Sequence, residues 1–254
     1  MQITNRETLV TGLRRVGLRP GHHVLVHSSL SSFGRVEGGA STVVQALLDV
    51  VATSGTVLAP TLTGNIEVGG HDKVFFDVAR TPGWTGAIAE AIRTWPGAVR
   101  SLHPTHSVAA VGAAAERLTR GHLDCLTPCG QESPYARLAQ DPRGMILLLG
   151  CDHESNTTLH HVEEQAGVSY HLQRSPVRAL IQADGQVHAR TFYAHRYGTA
   201  RRFAAIEPLL VERGLQTQGQ IGQATARLLP SGPSVRLALD LLRAVPDFFV
   251  AETT

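Results

Sequence analysis

Short apolar runs alternate along much of the chain with stretches whose apolar positions recur every three or four residues. Residues 23–27, 56–62, 106–112 and 145–149 read as strands, the last as a continuous buried run. Residues 4–16, 40–52, 85–95 and 133–140 carry helical spacing. Thr4 with Glu7 reads as a capping box for the first helix, and Gly17 and Pro20 as its stop. Strands alternating with helices predict βαβ units and hence an α/β fold with a mostly parallel sheet. Beyond Tyr170 the pattern changes. Residues 177–183 and 187–193, joined by Asp184 and Gly185, predict an added antiparallel hairpin. Residues 203–213 and 235–243 return to helical spacing and are expected to cover a sheet face, with Pro233 near the start of the second. No repeat, low-complexity tract or linker interrupts the pattern, so residues 1–254 are expected to form a single domain.

At 254 residues and 43% hydrophobic, the chain can bury one sizeable core. Its 23 basic and 21 acidic residues are too nearly balanced to predict nucleic-acid binding or polybasic membrane attachment. No apolar run approaches a membrane span, and the amino terminus lacks a signal segment, so the expected compartment is the cytoplasm. Cys125, Cys129 and Cys151 are odd in number and unpaired in spacing, which fits a reducing compartment better than a disulfide framework. Of the thirteen histidines, His22, His122, His171, His188 and His195 are expected on the surface.

The strongest chemical signal follows the buried strand at 145–149. Ser155, Asn156 and Thr157 supply caps for a helix that continues through Leu159, His160, His161, Val162, Glu163 and Glu164. His160 and Glu163, three residues apart, share a helix face; the carboxylate can hold one imidazole nitrogen and leave the other free as a base. The loop after the first strand, from His27 through Ser28, Ser29, Leu30, Ser31 and Ser32 to Gly38 and Gly39, is rich in hydroxyls, glycines and backbone donors. In open α/β sheets ligands settle beyond the carboxyl ends of the strands, where this loop lies. If the strands are parallel, the same edge receives Asn65, the run from His103 to Ser107, and Asp152 with His153, bringing His27, His106, His153 and His160 together.

Other chemistries fit less well. His153, His160, His161 and Glu163 are ligand types zinc accepts, but adjacent helical histidines diverge by about a hundred degrees and no HExxH pattern is present. No metal is therefore expected. There is no GxSxG elbow for a serine nucleophile, and Cys151 at a strand end reads as a packing residue.

Taken in order, the motifs resemble the aminoglycoside 3-N-acetyltransferase family over roughly residues 26–170. They are His27-Ser28-Ser29-Leu30 with Gly38-Gly39; Ala59-Pro60-Thr61; Phe76-Asp77 with Thr81-Pro82 and Gly86; Arg100-Ser101, His103-Pro104 and His106-Ser107-Val108; Ser133-Pro134-Tyr135; and Leu149-Gly150 with the His160 and Glu163 helix. The carboxyl-terminal third matches mainly through Phe203, Glu207, Gly219, Ile221-Gly222 and Ala224. The resemblance implies a three-layer α/β/α sandwich, distinct from the GNAT acetyltransferases. It also implies acetyl transfer from acetyl-CoA to the 3-amino group of 2-deoxystreptamine antibiotics, and hence antibiotic resistance. It places coenzyme A along Ser28, Ser29, Leu30 and Ser31 and beside His106, Ser107 and Val108, with Arg100 as a phosphate partner. His160 is the expected base, Glu163 its orienting group, and His27 a second catalytic candidate. A polycationic acceptor calls for acid groups, and Asp72, Asp152, Glu154 and Glu207 are the candidates. Cys129, the doubled His160-His161 and the insert at 67–73 look like departures from the family pattern. The expected partners are small molecules, with no nucleic acid or membrane, and the chain is expected to be a monomer or homodimer. The rivals are an acetyltransferase of the same fold acting on another amine, a metal-dependent hydrolase and a non-catalytic binding protein.

Overall fold

The computed structural model describes residues 3–63 and 74–251; Asn65, Asp72 and the insert at 67–73 lie outside them. Helix α1 (Arg6–Arg15) is capped by Asn5, whose side chain accepts from the Thr8 amide at 2.9 Å. Thr4 is not the cap, because its backbone is committed to a bridge with Val36 and its side chain is buried. The chain continues through β1 (His23–Ser28), α2 (Gly39–Val51), β2 (Thr56–Pro60), β3 (Val74–Asp77), α3 (Ala87–Arg93), β4 (Val99–Arg100), β5 (Val108–Gly112) and α4 (Ala115–Thr119). Next come α5 (Pro134–Gln140), whose Ser133 cap accepts from the Ala136 amide, β6 (Gly144–Leu149) and α6 (Thr158–Ala166). The remainder is β7 (Val177–Ala183), β8 (Gln186–Phe192), α7 (Glu207–Glu212), β9 (Thr217–Ile221), β10 (Ala224–Pro230) and α8 (Ser231–Ala244).

Seven strands form one mixed sheet in the order β4-β5-β2-β1-β6-β10-β9. Its centre is parallel, β1 pairing with β2 and β6 in the registers Val24 to Val57 and Val26 to Leu147. β5 and β10 run antiparallel to their central neighbours. Alternation along the strands sends side chains to both faces of the sheet, where they join three clusters. Val24, Val26, Val57 and Leu147 pack with residues of α1, α2 and α3. Leu25 and Leu58 pack with α4 and α5, while Ile146 and Leu148 pack with α6 and α8. Runs of consecutive apolar residues in the central strands, such as Val24 to Val26 and Ile146 to Leu149, suit a sheet that packs on both faces.

The predicted hairpin is present, and Asp184 (φ 51°) and Gly185 (φ 74°) both take the positive φ of a tight two-residue turn. It belongs to a separate three-stranded sheet, β3-β7-β8, in which β3 pairs in parallel with β7. The sequence pattern missed β3, β4, β9 and β10. β9 (Thr-Gln-Gly-Gln-Ile) lies at a sheet edge, half in water, and carries no apolar period. Among the described residues no helix is long and apolar enough to cross a membrane.

The antiparallel course of β5 corrects the parallel expectation and explains how His103 to Ser107 reach the ligand edge. A reversed strand delivers its amino-terminal lead-in, rather than its end, to the carboxyl edge of β1, β2 and β6.

Candidate active site

His160 lies in the first turn of α6, just beyond the carboxyl end of β6. The approach is locked by short-range bonds: Asp152 Oδ1 accepts from the Glu154 amide at 3.0 Å, and Asn156 Oδ1 from the Thr158 amide at 3.2 Å. His160 Nδ1 donates to Glu163 Oε2 at 2.8 Å, as the helical spacing predicts. Glu163 is completely buried, whereas His160 keeps 26% of its side chain exposed. Arg201 Nε donates to Glu163 Oε1 at 3.0 Å, and His171 Nδ1 lies 3.0 Å from Oε2. Burial raises the Glu163 carboxyl, but hydrogen bonds from His160 and His171 outweigh it and hold it well below the usual carboxylate range. Arg201 Nη2 is also 3.0 Å from His171 Nδ1. That nitrogen can donate to Glu163 or accept from Arg201. We assign donation, since the alternative points a lone pair at a buried carboxylate.

A cavity of about 650 Å³ opens at the sheet edge, walled by Ser28, Ser29, Leu30 and Ser31, by Trp84 and the start of α3, and by His160. A second, of about 300 Å³, adjoins it and is lined by His106, His171, His195, Arg196, Arg201 and Phe203, among others. Leu62, Trp84, Glu154 and His160 border both, so His160 stands where the two meet.

The expected site residues divide accordingly. Ser28, Ser29, Leu30 and Ser31 form the large cavity's wall together with His27, and His106 lines the small one. Burial drives the His27 imidazole down to about 3, helped by His153 and His160, so it is neutral near pH 7. Its Nε2 has no partner among the described residues. Arg100, Ser107 and Val108 line neither cavity. Arg100 donates to the carbonyls of Val78, Thr81 and Thr61 and lies 4.8 Å over the Phe76 ring, clamping the small sheet to the large one. Ser107 and Val108 are fully buried, with Ser107 Oγ bonded to the Thr61 carbonyl at 2.8 Å. These three hold the floor of the site and present nothing to its space.

Of the acid candidates, Glu154 borders both cavities. Asp152 is spent as a cap, and Glu207 accepts from Arg227 Nε at 2.6 Å and Gln216 Nε2 at 2.9 Å. His153 is buried against Gln216 and Asn156 rather than joining His160. Cys151 is half-buried, its thiol pushed up by burial, and Cys129 is pushed well up for the same reason, so neither is an activated nucleophile. The second of the paired histidines is structural, His161 Nδ1 donating to the Cys129 carbonyl at 2.7 Å.

The surface assignment of His122, His171 and His195 is overturned: all three are buried. His122 is held by Ser101 and the Pro128 carbonyl and stacks on His103. The segments after α6 and β8 fold back over the site, placing the His171 ring 5.0 Å and the His195 ring 4.9 Å from His160. Leu62, Trp84, Arg196 and Arg201 were missed as well. Their only sequence signal was a tryptophan in a short polar loop, because everything else about them depends on chain return.

Fold and site together define an α/β protein whose two adjoining cavities meet at an imidazole hydrogen-bonded to a buried carboxylate. Residues 25–243 match the family model for aminoglycoside 3-N-acetyltransferase. The chain is 32% identical to aminoglycoside N(3)-acetyltransferase IX of Micromonospora chalcea, covering 94% of this chain and 93% of the relative. It is 34% identical to aminoglycoside N(3)-acetyltransferase IV of a Salmonella species, covering 95% and 88%. Among solved structures, AAC-IIIb in binary complex with CoASH superposes with a TM-score of 0.85 at 27% identity over 100% of both chains. A mutant of aminoglycoside acetyltransferase AAC(3)-IVa in complex with a gentamicin gives 0.85 at 31% identity over 99% and 93%. The chain belongs to the aminoglycoside 3-N-acetyltransferase family and is an acetyltransferase.

Proposed function

We propose that this chain, a three-layer α/β/α enzyme, transfers an acetyl group from acetyl-CoA to the 3-amino group of 2-deoxystreptamine aminoglycosides. The observation that carries the reading is the position of His160, oriented by Glu163 at the junction of the two cavities. Coenzyme A occupies the larger space against Ser28 to Ser31, and the amine enters from the smaller one. His160 Nε2 takes a proton from the acceptor amine as its nitrogen attacks the thioester carbonyl. A C–N bond forms, the C–S bond breaks, and the thiolate leaves to be protonated by solvent. Glu163 stabilises the imidazolium, and Arg201 holds the carboxylate's other oxygen in place. Backbone amides of residues 28–31, or His27, supply donors for the developing oxyanion.

Mass spectrometry of protein incubated with acetyl-CoA and a panel of 2-deoxystreptamine aminoglycosides, with NMR of the product, tests the reading. A single acetyl at N3 supports it, and no product from any member rejects it. One observation favours an alternative acceptor amine on the same fold. Glu154 is the only carboxylate in the wall of the smaller cavity among the described residues, beside Arg196 and Arg201, although a polycation prefers acid walls. Competition between aminoglycosides and less charged amines separates the two.

Two variants probe the parts. Glu163→Gln is expected to lower kcat less than loss of His160 and to change its pH profile, because an amide stabilises an imidazolium less than a carboxylate does. An unchanged profile removes Glu163 from the positioning role. Gly150 (φ 79°) ends β6, and a Cβ there would meet Ser32 Cβ at 2.7 Å and the Ser29 carbonyl at 3.0 Å. Gly150→Ala is expected to cost about 1–3 kcal/mol of stability and to raise the KM for acetyl-CoA by displacing the loop at 28–32. Thermal unfolding and saturation kinetics check both parts.

A further inference from the structure

Spacing within residues 153–163 disfavours a metal, but the folded chain assembles a different set of ligand types. His160, from α6, meets His171, from the loop after it, and His195, from the segment after β8; one ligand atom of each lies within 4.8 Å of the other two. Each ring also has one nitrogen against a glutamate carboxyl group. His160 Nδ1 and His171 Nδ1 face Glu163 Oε2 at 2.8 and 3.0 Å, and His195 Nε2 faces Glu164 Oε1 at 2.7 Å. Carboxylates behind imidazoles are the supporting shell that fixes tautomer and ring direction in histidine metal sites. His171 Nε2 is buried without a partner among the described residues, and its ring lines the smaller cavity.

We infer that His160, His171 and His195 form a three-imidazole site for a borderline divalent transition metal such as Zn²⁺, whose binding occupies the His160 base and reversibly blocks acetyl transfer. The inhibitory part rests on the function proposed above; the binding part does not. Zinc–imidazole bonds of about 2.0–2.1 Å in a tetrahedron need nitrogens about 3.4 Å apart, so the rings must close by up to about 1.4 Å and the stacked His160 and His171 rings, 16° apart in plane, must turn toward one ion. The open cavity leaves the fourth position to water or the acceptor amine. A second trio, His106, Cys129 and His195, shares His195 and therefore competes with the first. All three of its members are buried, and Cys129 lines neither cavity, so the trio facing the cavity is the one assigned.

The test uses full-length protein stripped with EDTA and titrated with ZnCl₂, read by calorimetry, by bound metal after dialysis and by thermal shift. The expected result is one Zn²⁺ per chain, a raised Tm, and at least tenfold weaker binding in His195→Gln and His171→Gln but not in Cys129→Ser. Co²⁺ bound to the unmutated protein is expected to give a tetrahedral spectrum without a thiolate charge-transfer band, a readout that needs no variant to fold. In the transfer assay Zn²⁺ is expected to inhibit, with recovery on adding EDTA. No stoichiometric binding, binding indifferent to both histidine variants, or a thiolate band overturns the site. Binding as expected without inhibition of a transferring enzyme overturns the regulatory part. Binding without any transfer rejects the functional reading instead.

Discussion

Replacing His160 by alanine is expected to lower kcat by about two to four orders of magnitude while leaving acetyl-CoA affinity unchanged. The split follows from geometry. His160 stands at the junction of the two cavities with one nitrogen held by Glu163, whereas the wall assigned to the coenzyme is made chiefly by the loop at 28–31 and the start of α3. Removing the ring takes away the proton acceptor, not the thioester's seat. Glu163 keeps Arg201 and His171 as partners, so the variant should still fold. Steady-state kinetics with equilibrium coenzyme binding check this, and near-normal turnover would remove His160 from the role.

The metal-free protein is expected to lose stability steeply below about pH 6.5. Burial is the leading cause that lowers ten imidazoles in the fold, six of them furthest: His27 to about 3, His122 and His171 to about 4, and His103, His106 and His195 well below their ordinary value. Between those folded values and the unfolded value near 6.5, the unfolded chain binds protons that the native chain refuses. Stability therefore rises with pH across that window and is lost as pH falls through it, by about 1.4 kcal/mol per pH unit for each such group. These six together contribute at most roughly 8 kcal/mol per pH unit, against a total stability of about 5–15 kcal/mol. Glu163, lowered in the fold, adds a loss in the same direction below the ordinary carboxylate range. Glu164 works the other way: burial raises it to about 8, so the native chain keeps a proton the unfolded chain releases, and stability declines as pH rises toward 8. A stability maximum near pH 6.5–7 follows. Thermal unfolding from pH 8 to pH 5 measures it, and a flat Tm below pH 6.5 would show that these rings titrate normally.

Much of the fold was legible because local pattern and tertiary environment agree. β1, β2 and β6 carry runs of consecutive apolar residues, Val24 to Val26, Val57 to Pro60 and Met145 to Leu149, so their burial is written in the sequence. The hairpin was legible because a two-residue turn demands positive φ at both positions and Asp184-Gly185 supplies it. β9 was not, since a polar edge strand is created by its neighbour β10 and not by its own side chains. The direction of β5 was likewise hidden, as apolar spacing is the same for either direction.

The same division holds at the site. His160 and Glu163 are three residues apart on one helix, and the Ser-rich loop directly follows a strand, so covalent proximity determined both from sequence alone. His171, His195 and Arg201 come to His160 and Glu163 only through two returns of the chain. Arg100 shows the converse: a guanidinium that suits a phosphate by charge is consumed by backbone carbonyls once the small sheet docks. Local spacing thus determined the imidazole–carboxylate pair and the hydroxyl-rich loop that lines the larger cavity. Long-range packing alone decided which buried rings surround them, because burial and contact between distant segments have no signature in the residues themselves.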